Sequence, residues 1–352
     1  MLCIVAFYVF FIWISALTVP ISSWDAWATI AFKAKIFFYE RSFAYNAHLP
    51  HPSYPLLTPL LQTWTAFTIG RWDEFLTKII FPLFGTAYIA IHYGFLKRVC
   101  GRTLALLGTV FLISSFSFVL FCSLGYRDII LTYYNCAAVI LLYTVFYENK
   151  GFPSILAAGL FSGFAAFTKL EGIGYVFIHA VLAAGLLWRR TDISIKLRLK
   201  QFACFVAPPV IIIVFYWLFK QHAGIALGEG GKTEIILTVD VFQRLKTIAA
   251  AFYQNLFVYL NWSWNWYFLL GLCIFSFKKR FSSGSRFFIT SIFLFLLADC
   301  ALLLFTPNYK YILDGQLLSR LILHFFPLCP IASVFLLFDM KFLEPDGHKQ
   351  SC

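Results

Sequence analysis

The chain has 352 residues, of which 61% are hydrophobic and only 12% are charged, about half the charged fraction of soluble globular domains. Apolar runs of about 18 residues or more recur from end to end, long enough to cross a hydrocarbon core of about 30 Å and too weakly alternating for barrel strands. The composition therefore predicts an all-α polytopic membrane protein. The net charge of +12, with no soluble basic domain to carry it, indicates membrane lipids or phosphate as partners and no nucleic acid.

About ten apolar runs are expected to cross the membrane. They are residues 2–19, 76–96, 104–122, 129–147, 153–168, 172–188, 202–219, 266–277, 287–305 and 321–338. Dense basic clusters at 97–102, 189–200 and 278–280 fall on alternate loops, which the positive-inside rule makes cytoplasmic. This arrangement places both termini in the cytoplasm.

The resulting organisation is a single transmembrane domain, residues 1–338, followed by a short cytoplasmic tail, residues 339–352. Residues 20–75 and 220–265 form two long extracytoplasmic loops. The stretch HPSYPLLTPLLQTWTAFTIGRWDEF (51–75) is long enough to cross, but a crossing there would invert every later basic loop, and three prolines interrupt its start. We interpret it as an interfacial or re-entrant helix, and the alternative is an eleventh span.

An acid stands at the edge of the membrane in ISSWDAWATIAFKAKIFFYE (21–40). In a helix, Asp25, Thr29 and Lys33 lie on one polar stripe, and Trp24 and Trp27 lie largely on the opposite side at the headgroup level. One interpretation is an aromatic belt with a solvated acid. The other is a carboxylate held at the membrane surface to bind or deprotonate an acceptor hydroxyl.

Three later motifs place charged residues at the outer ends of predicted spans. They are SLGYRDII with Arg127 and Asp128, FTKLEG with Lys169 and Glu171, and DGQLLSRLILHFFPLCP with Arg320 and, one turn deeper, His324. A single charge at a span end is more often a snorkelling anchor. Three such motifs on one face predict cations that hold a phosphate, because low dielectric strengthens the pairing.

The sequence does not decide the roles of several other polar residues. Asp299 lies inside a span, where it is expected to face the bundle interior for either a structural or a functional reason. His48 and His51 flank Pro50, but no ligand spacing supports a metal site, so a divalent metal is left open and no cofactor is certain. The nine cysteines include no C-x-x-C pair.

Taken in order, these motifs resemble the GT-C superfamily of integral-membrane glycosyltransferases, and most closely its protein mannosyltransferase and lipid A aminoarabinose transferase branch. The resemblance implies a polyprenyl-phosphate-sugar donor, a lipid, glycan or protein acceptor, and inverting transfer on the extracytoplasmic side, in a bacterial inner membrane. The position that matches the family's acid in the first outer loop is Asp25, the predicted catalytic residue. Many relatives have an Asp-Glu pair there, whereas Ala26 follows here.

The resemblance also assigns roles to the remaining candidates. The positions that match the carrier-phosphate cations are Lys169 and Arg320, with Arg127 as a further candidate. The substrate-binding or orienting candidates are Asp128, Glu171, His324, Tyr54 and His51. Tyr54 and His51 belong to the proline-containing stretch that packs over the site in such enzymes. Asp128 is expected to orient Arg127 or to bind the sugar.

Two other classes of function remain. A transporter or flippase for an anionic or lipid-linked substrate would also use basic span mouths and an intramembrane acid. Against it, charge gathers at the outer boundary and the sequence has no paired broken helices in corresponding halves. A non-catalytic assembly subunit is the third class, and only activity distinguishes it.

Overall fold

The computed structural model describes residues 1–148, 151–225, 235–236, 239–276, 281–312 and 315–341. Within those ranges the chain forms helices joined by turns and no strand. Several predicted features lie outside the described residues: the basic cluster 278–280, residues 226–234 and 237–238 of the second long loop, and residues 342–352 of the tail.

The described part of the chain contains fifteen α-helices. They are α1 Leu2–Thr18, α2 Phe32–Glu40, α3 Leu57–Ile69, α4 Ile80–Cys100, α5 Arg102–Ser114, α6 Phe116–Phe121, α7 Arg127–Tyr147, α8 Phe152–Thr168, α9 Glu171–Arg189, α10 Ile195–His222, α11 Val241–Tyr253, α12 Asn265–Ser276, α13 Ser283–Phe305, α14 Gln316–Leu323 and α15 Leu328–Asp339. Short 3-10 or π turns lie at Asp25–Ala31, Ala44–His48, Leu76–Ile79, Gln254–Val258 and Pro307–Ile312.

Among the described residues, five helical segments are long and apolar enough to span a membrane. They are Leu76–Cys100, Arg127–Tyr147, Glu171–Arg189, Ile195–His222 and Ser283–Phe305. The bent pair α14 and α15 counts as a sixth, and α1, α5, α8 and α12 are shorter apolar helices. These elements coincide with the predicted runs, and the prediction of an all-α polytopic membrane protein is confirmed.

Two predicted runs are broken rather than continuous. The run 104–122 divides at Ser115, whose backbone is extended and whose hydroxyl accepts from the amide of Phe118 at 3.2 Å. The run 321–338 bends by 48° between α14 and α15. Side chains of α7 replace the helix bonds lost there: Thr132 donates to the carbonyl of Leu323 at 3.2 Å, and Asn135 donates to that of His324 at 2.8 Å.

The helix α7 lies at the centre of the bundle, packed against α4, α8 and α9, whereas α10 lies at the periphery. The apolar window of α7 is 83% buried inside the protein, whereas only 17% of that of α10 is buried, so most of α10 lies on the outer surface of the bundle. The helix α3 has 13 residues, about 20 Å at 1.5 Å per residue, and is too short to cross a hydrocarbon core. Its place relative to the membrane stays a prediction.

Candidate active site

The turn before α7 sets the position of Arg127. Gly125 has φ +88°, a conformation that favours glycine, and a Cβ there would lie 3.5 Å from the Cβ of Ala26. The backbone of the turn before α7 thus lies close to the segment that carries Asp25. Tyr126 follows in an extended conformation, and α7 begins at Arg127.

The turn between α8 and α9 is equally tight. Gly172 packs so closely that a Cβ would lie 2.0 Å from the carbonyl oxygen of Ala165, and its amide donates to the carbonyl of Lys169 at 3.0 Å. Lys169 and Glu171 are therefore fixed at the same end of the bundle as Arg127.

At this end Asp128 is fully buried and accepts hydrogen bonds from three side chains, one from the α8–α9 turn and two from the segment of α14 and its C-terminal cap. Its Oδ1 lies 3.0 Å from Lys169 Nζ and 3.0 Å from His324 Nε2, and its Oδ2 lies 3.1 Å from Arg320 Nη2. We call Asp128, Lys169, Arg320 and His324 the buried cluster. Pairing with the two cations offsets the desolvation of the carboxylate, which would be costly alone.

The buried cluster continues into the bundle through Tyr175 of α9. The Tyr175 hydroxyl lies 2.9 Å from His324 Nδ1 and 3.3 Å from Asp299 Oδ1. A hydrogen-bonded chain thus connects Asp128 at the start of α7 with Asp299 in α13. This chain fixes the orientation of the His324 imidazole.

A cavity of about 310 Å³ opens above the buried cluster. It is lined by Asp25, Thr29, His51, Tyr54, Arg127, Lys169, Glu171, Asn308, Tyr311, Leu317 and Arg320. Its lining carries three cations and two carboxylates, and Asp128 beneath it brings the formal charges into balance. We call Asp25, Arg127 and Glu171 the cavity rim.

Asp25 on the rim shares Arg320 with the buried cluster. Its Oδ2 lies 2.5 Å from Arg320 Nη1, although the Asp25 side chain is 41% exposed and that of Asp128 is not exposed at all. Asp25 begins a π-helical turn, Asp25–Ala31, which takes more residues per turn than the regular helix that the sequence predicts. Two residues of the predicted stripe, Asp25 and Thr29, line the cavity, whereas the third, Lys33, is buried and donates to the carbonyl of His51.

Arg127 is buried and engages the first loop. It donates to the Thr29 hydroxyl at 2.9 Å, and its guanidinium lies 4.6 Å from the centre of the Tyr54 ring. Its Nη1 has no hydrogen-bond partner among the described residues. A buried guanidinium nitrogen without a partner, on a cavity wall, is a donor available to an anion.

Two residues of the proline-containing stretch, His51 and Tyr54, line the cavity. His51 has φ +54° and its carbonyl accepts from the buried Lys33 at 2.6 Å. The carbonyl of Tyr54 accepts from Tyr216 of α10 at 2.7 Å. These bonds anchor the stretch HPSY at both ends against the bundle.

All nine residues singled out in the sequence come together here, although their roles stay predictions. Seven line the cavity, whereas Asp128 and His324 lie in the buried cluster beneath it. Asp128 is predicted to orient Arg127 or to bind the sugar. Its carboxylate accepts hydrogen bonds from Lys169, Arg320 and His324, and both roles stay predictions.

Sequence reasoning missed Tyr175, Asn308 and Tyr311. Tyr175 lies one helical turn after Glu171, a spacing that could have singled it out. Asn308 and Tyr311 lie in the short 3-10 helix Pro307–Ile312, which the sequence analysis did not predict. In the described ranges, no group of three or more His, Cys, Asp or Glu side chains is placed to hold a metal ion.

No protein-family model matches this sequence, and no curated protein matches it significantly. Two solved structures share its fold. ArnT from Cupriavidus metallidurans bound to undecaprenyl phosphate is 14% identical, with a TM-score of 0.64 over 97% of this chain and 60% of that one. The Archaeoglobus fulgidus oligosaccharyltransferase, in complex with Zn and sulfate, is 14% identical, with a TM-score of 0.53 over 95% of this chain and 48% of that one.

At this identity the likeness establishes the fold. It is the GT-C fold that the sequence motifs predicted, and that prediction is confirmed. The chain spans about 60% of the length of ArnT and about half that of the oligosaccharyltransferase.

Proposed function

We propose that this protein is a membrane glycosyltransferase that moves a sugar from a polyprenyl-phosphate donor to an acceptor hydroxyl on the extracytoplasmic face. The observation that carries the proposal is one cavity in which Asp25 lies beside three cations, Arg127, Lys169 and Arg320. A carboxylate can accept a proton and the cations can hold a phosphate, so the same cavity can serve the acceptor and the leaving group. The fold shared with ArnT bound to undecaprenyl phosphate supports a donor of this class.

The donor phosphate is proposed to lie against Arg127, Lys169 and Arg320. Lys169 and Arg320 are held in place by Asp128, whereas Arg127 has a nitrogen available for a new hydrogen bond. Charge-assisted bonds of this kind are about twice as strong as neutral ones. Their strength grows further as charge develops on the leaving phosphate.

The reaction is proposed to be an inverting displacement. The acceptor oxygen attacks the anomeric carbon as Asp25 takes its proton, and a new carbon–oxygen bond forms. The bond from the anomeric carbon to the phosphate oxygen breaks, and its electron pair leaves with polyprenyl phosphate. The phosphate needs no protonation to leave, so one carboxylate is sufficient.

The contact between Asp25 and Arg320 suggests how the base becomes available. Arg320 donates to Asp25 through Nη1 and to Asp128 through Nη2. A phosphate that binds Arg320 competes with the exposed Asp25 rather than with the buried Asp128, because only Asp25 can be released to water. Donor binding would thereby free the Asp25 carboxylate to accept a proton.

The proposed orientation follows from charge. The basic clusters at 97–102 and 189–200 lie at the opposite end of the bundle from the cavity, and basic loops face the cytoplasm. The cavity end is then extracytoplasmic, where sugars on polyprenyl carriers are presented. The cation-rich cavity at the membrane boundary fits such an anionic lipid.

The proposal is tested in a deletion strain of the source organism, complemented with the wild type, Asp25→Asn or Glu40→Gln. Glu40 is an exposed acid in the same segment and serves as the matched control. Envelope glycolipids and glycoproteins are compared by mass spectrometry at equal protein levels. Deletion and Asp25→Asn are expected to remove the same sugar unit, and Glu40→Gln is expected to restore it.

If the sugar unit survives with Asp25→Asn, the catalytic assignment is wrong. If deletion removes no sugar but an anionic or lipid-linked solute accumulates on one side of the membrane, the protein is a transporter or flippase instead.

A further inference from the structure

A second cavity, of about 390 Å³, lies beside the first and shares Tyr54, Glu171 and Asn308 with it. The rest of its lining combines apolar residues with polar ones from α9, α13 and the turn that follows. These are Leu170, Gly174, Tyr175, Ala298, Asp299, Leu302 and Thr306. Asp25 is not part of this lining, so the second cavity extends from the side of the first that holds Glu171.

Two carboxylates on this lining each have one oxygen without a hydrogen-bond partner among the described residues. Asp299 is 1% exposed, its Oδ1 lies 3.3 Å from the Tyr175 hydroxyl, and its Oδ2 has no hydrogen-bond partner in the part of the chain that the structure describes. Glu171 pairs with Lys169 through Oε1 at 2.9 Å, whereas its Oε2 is likewise buried without a partner in that part. Unpartnered buried oxygens of this kind are costly unless a ligand pairs with them.

The chemistry of the lining disfavours a hydrocarbon occupant. An isoprenoid chain carries no hydrogen-bond donor, so it would leave both carboxylates buried against carbon. A cavity of about 330 Å³ between Phe43, Phe167 and Phe215 has an almost wholly apolar lining and carries no such cost. The second cavity therefore suits a ring that presents several hydroxyl or amino groups.

We propose that the second cavity is the subsite for the sugar ring of the donor, and that Asp299 and Glu171 select the sugar by pairing with its hydroxyl or amino groups. This inference rests on the proposed function. Glu171 is bonded to Lys169, one of the proposed phosphate cations, so a ring in this cavity adjoins the phosphate to which it is linked. The acceptor then approaches from the side of Asp25. A sugar hydroxyl both donates and accepts, so it can pair with Asp299 in either protonation state.

The inference is tested by lipid binding to the purified full chain in nanodiscs. Affinities are measured by native mass spectrometry for undecaprenyl phosphate and for undecaprenyl phosphate that carries a neutral hexose, a neutral pentose or an amino pentose. The variants are Asp299→Leu and the shape-conserving Asp299→Asn. Ser291→Ala is the control, because Ser291 is buried in the same helix and donates only to its own helix backbone, at Phe287.

Asp299→Leu is expected to weaken the best-bound sugar-bearing lipid by about tenfold or more, the effect of about 1.4 kcal/mol, and to change the affinity for undecaprenyl phosphate less than twofold. If Asp299→Leu does not fold, Asp299→Asn carries the test, with an expected loss of about threefold or more confined to the sugar-bearing lipids. Ser291→Ala is expected to bind every lipid as the wild type does.

The inference is overturned if the Asp299 variants weaken both kinds of lipid equally or neither of them. It is also overturned, while the proposed phosphate site stands, if the wild type binds undecaprenyl phosphate but none of its sugar-bearing forms. A wild type that binds none of these lipids contradicts the proposed function itself, and the inference falls with it.

Discussion

The buried cluster and the cavity rim are built from the same residue types but in opposite ways. Asp128 in the cluster has both oxygens paired, with Lys169, His324 and Arg320. On the rim, Arg127 Nη1 and Glu171 Oε2 have no partner among the described residues, and the Asp25 side chain is partly exposed. A saturated cluster fixes positions, whereas unsaturated groups can change partners when a ligand enters. We therefore propose that Asp128 and His324 position the site, whereas the cavity rim, together with Lys169 and Arg320, contacts the substrates.

The largest expected effect is in the buried cluster. Asp128→Asn leaves Lys169 and Arg320 without their shared buried carboxylate, and breaking such a pairing costs about 3–5 kcal/mol in the free energy of unfolding. We expect thermal unfolding of the purified protein in detergent at a clearly lower temperature. The control is Asp192→Asn, which breaks an exposed pair with Arg190 and is expected to cost at most about 1 kcal/mol. Equal unfolding temperatures for Asp128→Asn and wild type would contradict the positioning role.

Arg127→Gln tests whether the cavity rim binds the donor phosphate. It removes the guanidinium nitrogen that has no partner, and hydrogen bonds to charged groups are worth about 1.5–3 kcal/mol. The affinity for undecaprenyl phosphate is therefore expected to fall about 10- to 100-fold, measured by native mass spectrometry in nanodiscs. Arg71→Gln makes the same charge change at an exposed site and serves as the control. Unchanged affinity in a folded Arg127→Gln would remove Arg127 from the phosphate site.

Gly172→Ala tests whether the α8–α9 turn positions the cluster. A Cβ would lie 2.0 Å from the Ala165 carbonyl oxygen, so the backbone must shift and overpacking is expected to cost about 1–3 kcal/mol. Gly185→Ala is the control, since its Cβ would meet nothing within 4 Å in the same helix. Both variants are compared by unfolding temperature and by sugar transfer in the complemented deletion strain. If Gly172→Ala is as stable and as active in sugar transfer as Gly185→Ala, the turn accommodates a Cβ and the tight packing does not position the cluster.

The smallest effect is expected for Tyr175→Phe. It removes the hydroxyl near His324 and Asp299, and a neutral hydrogen bond contributes about 0.5–1.5 kcal/mol. We expect transfer to fall by about tenfold or less, compared with Tyr259→Phe, whose exposed hydroxyl contacts only a neighbouring turn at Gln254. A total loss of transfer at normal protein levels would show that Tyr175 takes part in the reaction and does not only support His324 and Asp299.

The sequence was sufficient to predict where the site residues lie but not how they pair. Apolar runs and basic loops set the direction of each span, which places the ends of α7, α8 and α14 at one face. The pairings depend on packing between distant parts of the chain: Asp25 and Arg320 are 295 residues apart, and Lys169 and Asp128 are 41 apart. No local pattern indicates which acid meets which cation.

Hydrophobic periodicity also could not predict where the apolar helices break. The run that contains His324 is otherwise mostly apolar, and the helix bends where Pro327 has no amide N–H to donate to the carbonyl of Leu323. Side chains of α7 donate to the carbonyls of Leu323 and His324 instead. Arg320 and His324 lie one helical turn apart before the bend, and both contact Asp128. Asp299 could be predicted to face the interior, but its partner Tyr175 could not be predicted from α13 alone.

We propose above all that Asp25 accepts the proton and competes with the donor phosphate for Arg320. The most direct test is the affinity of Asp25→Asn for undecaprenyl phosphate in nanodiscs, beside its sugar transfer in cells. We expect a folded variant that binds the lipid at least as tightly as the wild type, since the competing carboxylate is gone, and yet transfers no sugar. A variant that loses the lipid, or that binds it and still transfers sugar, would contradict it.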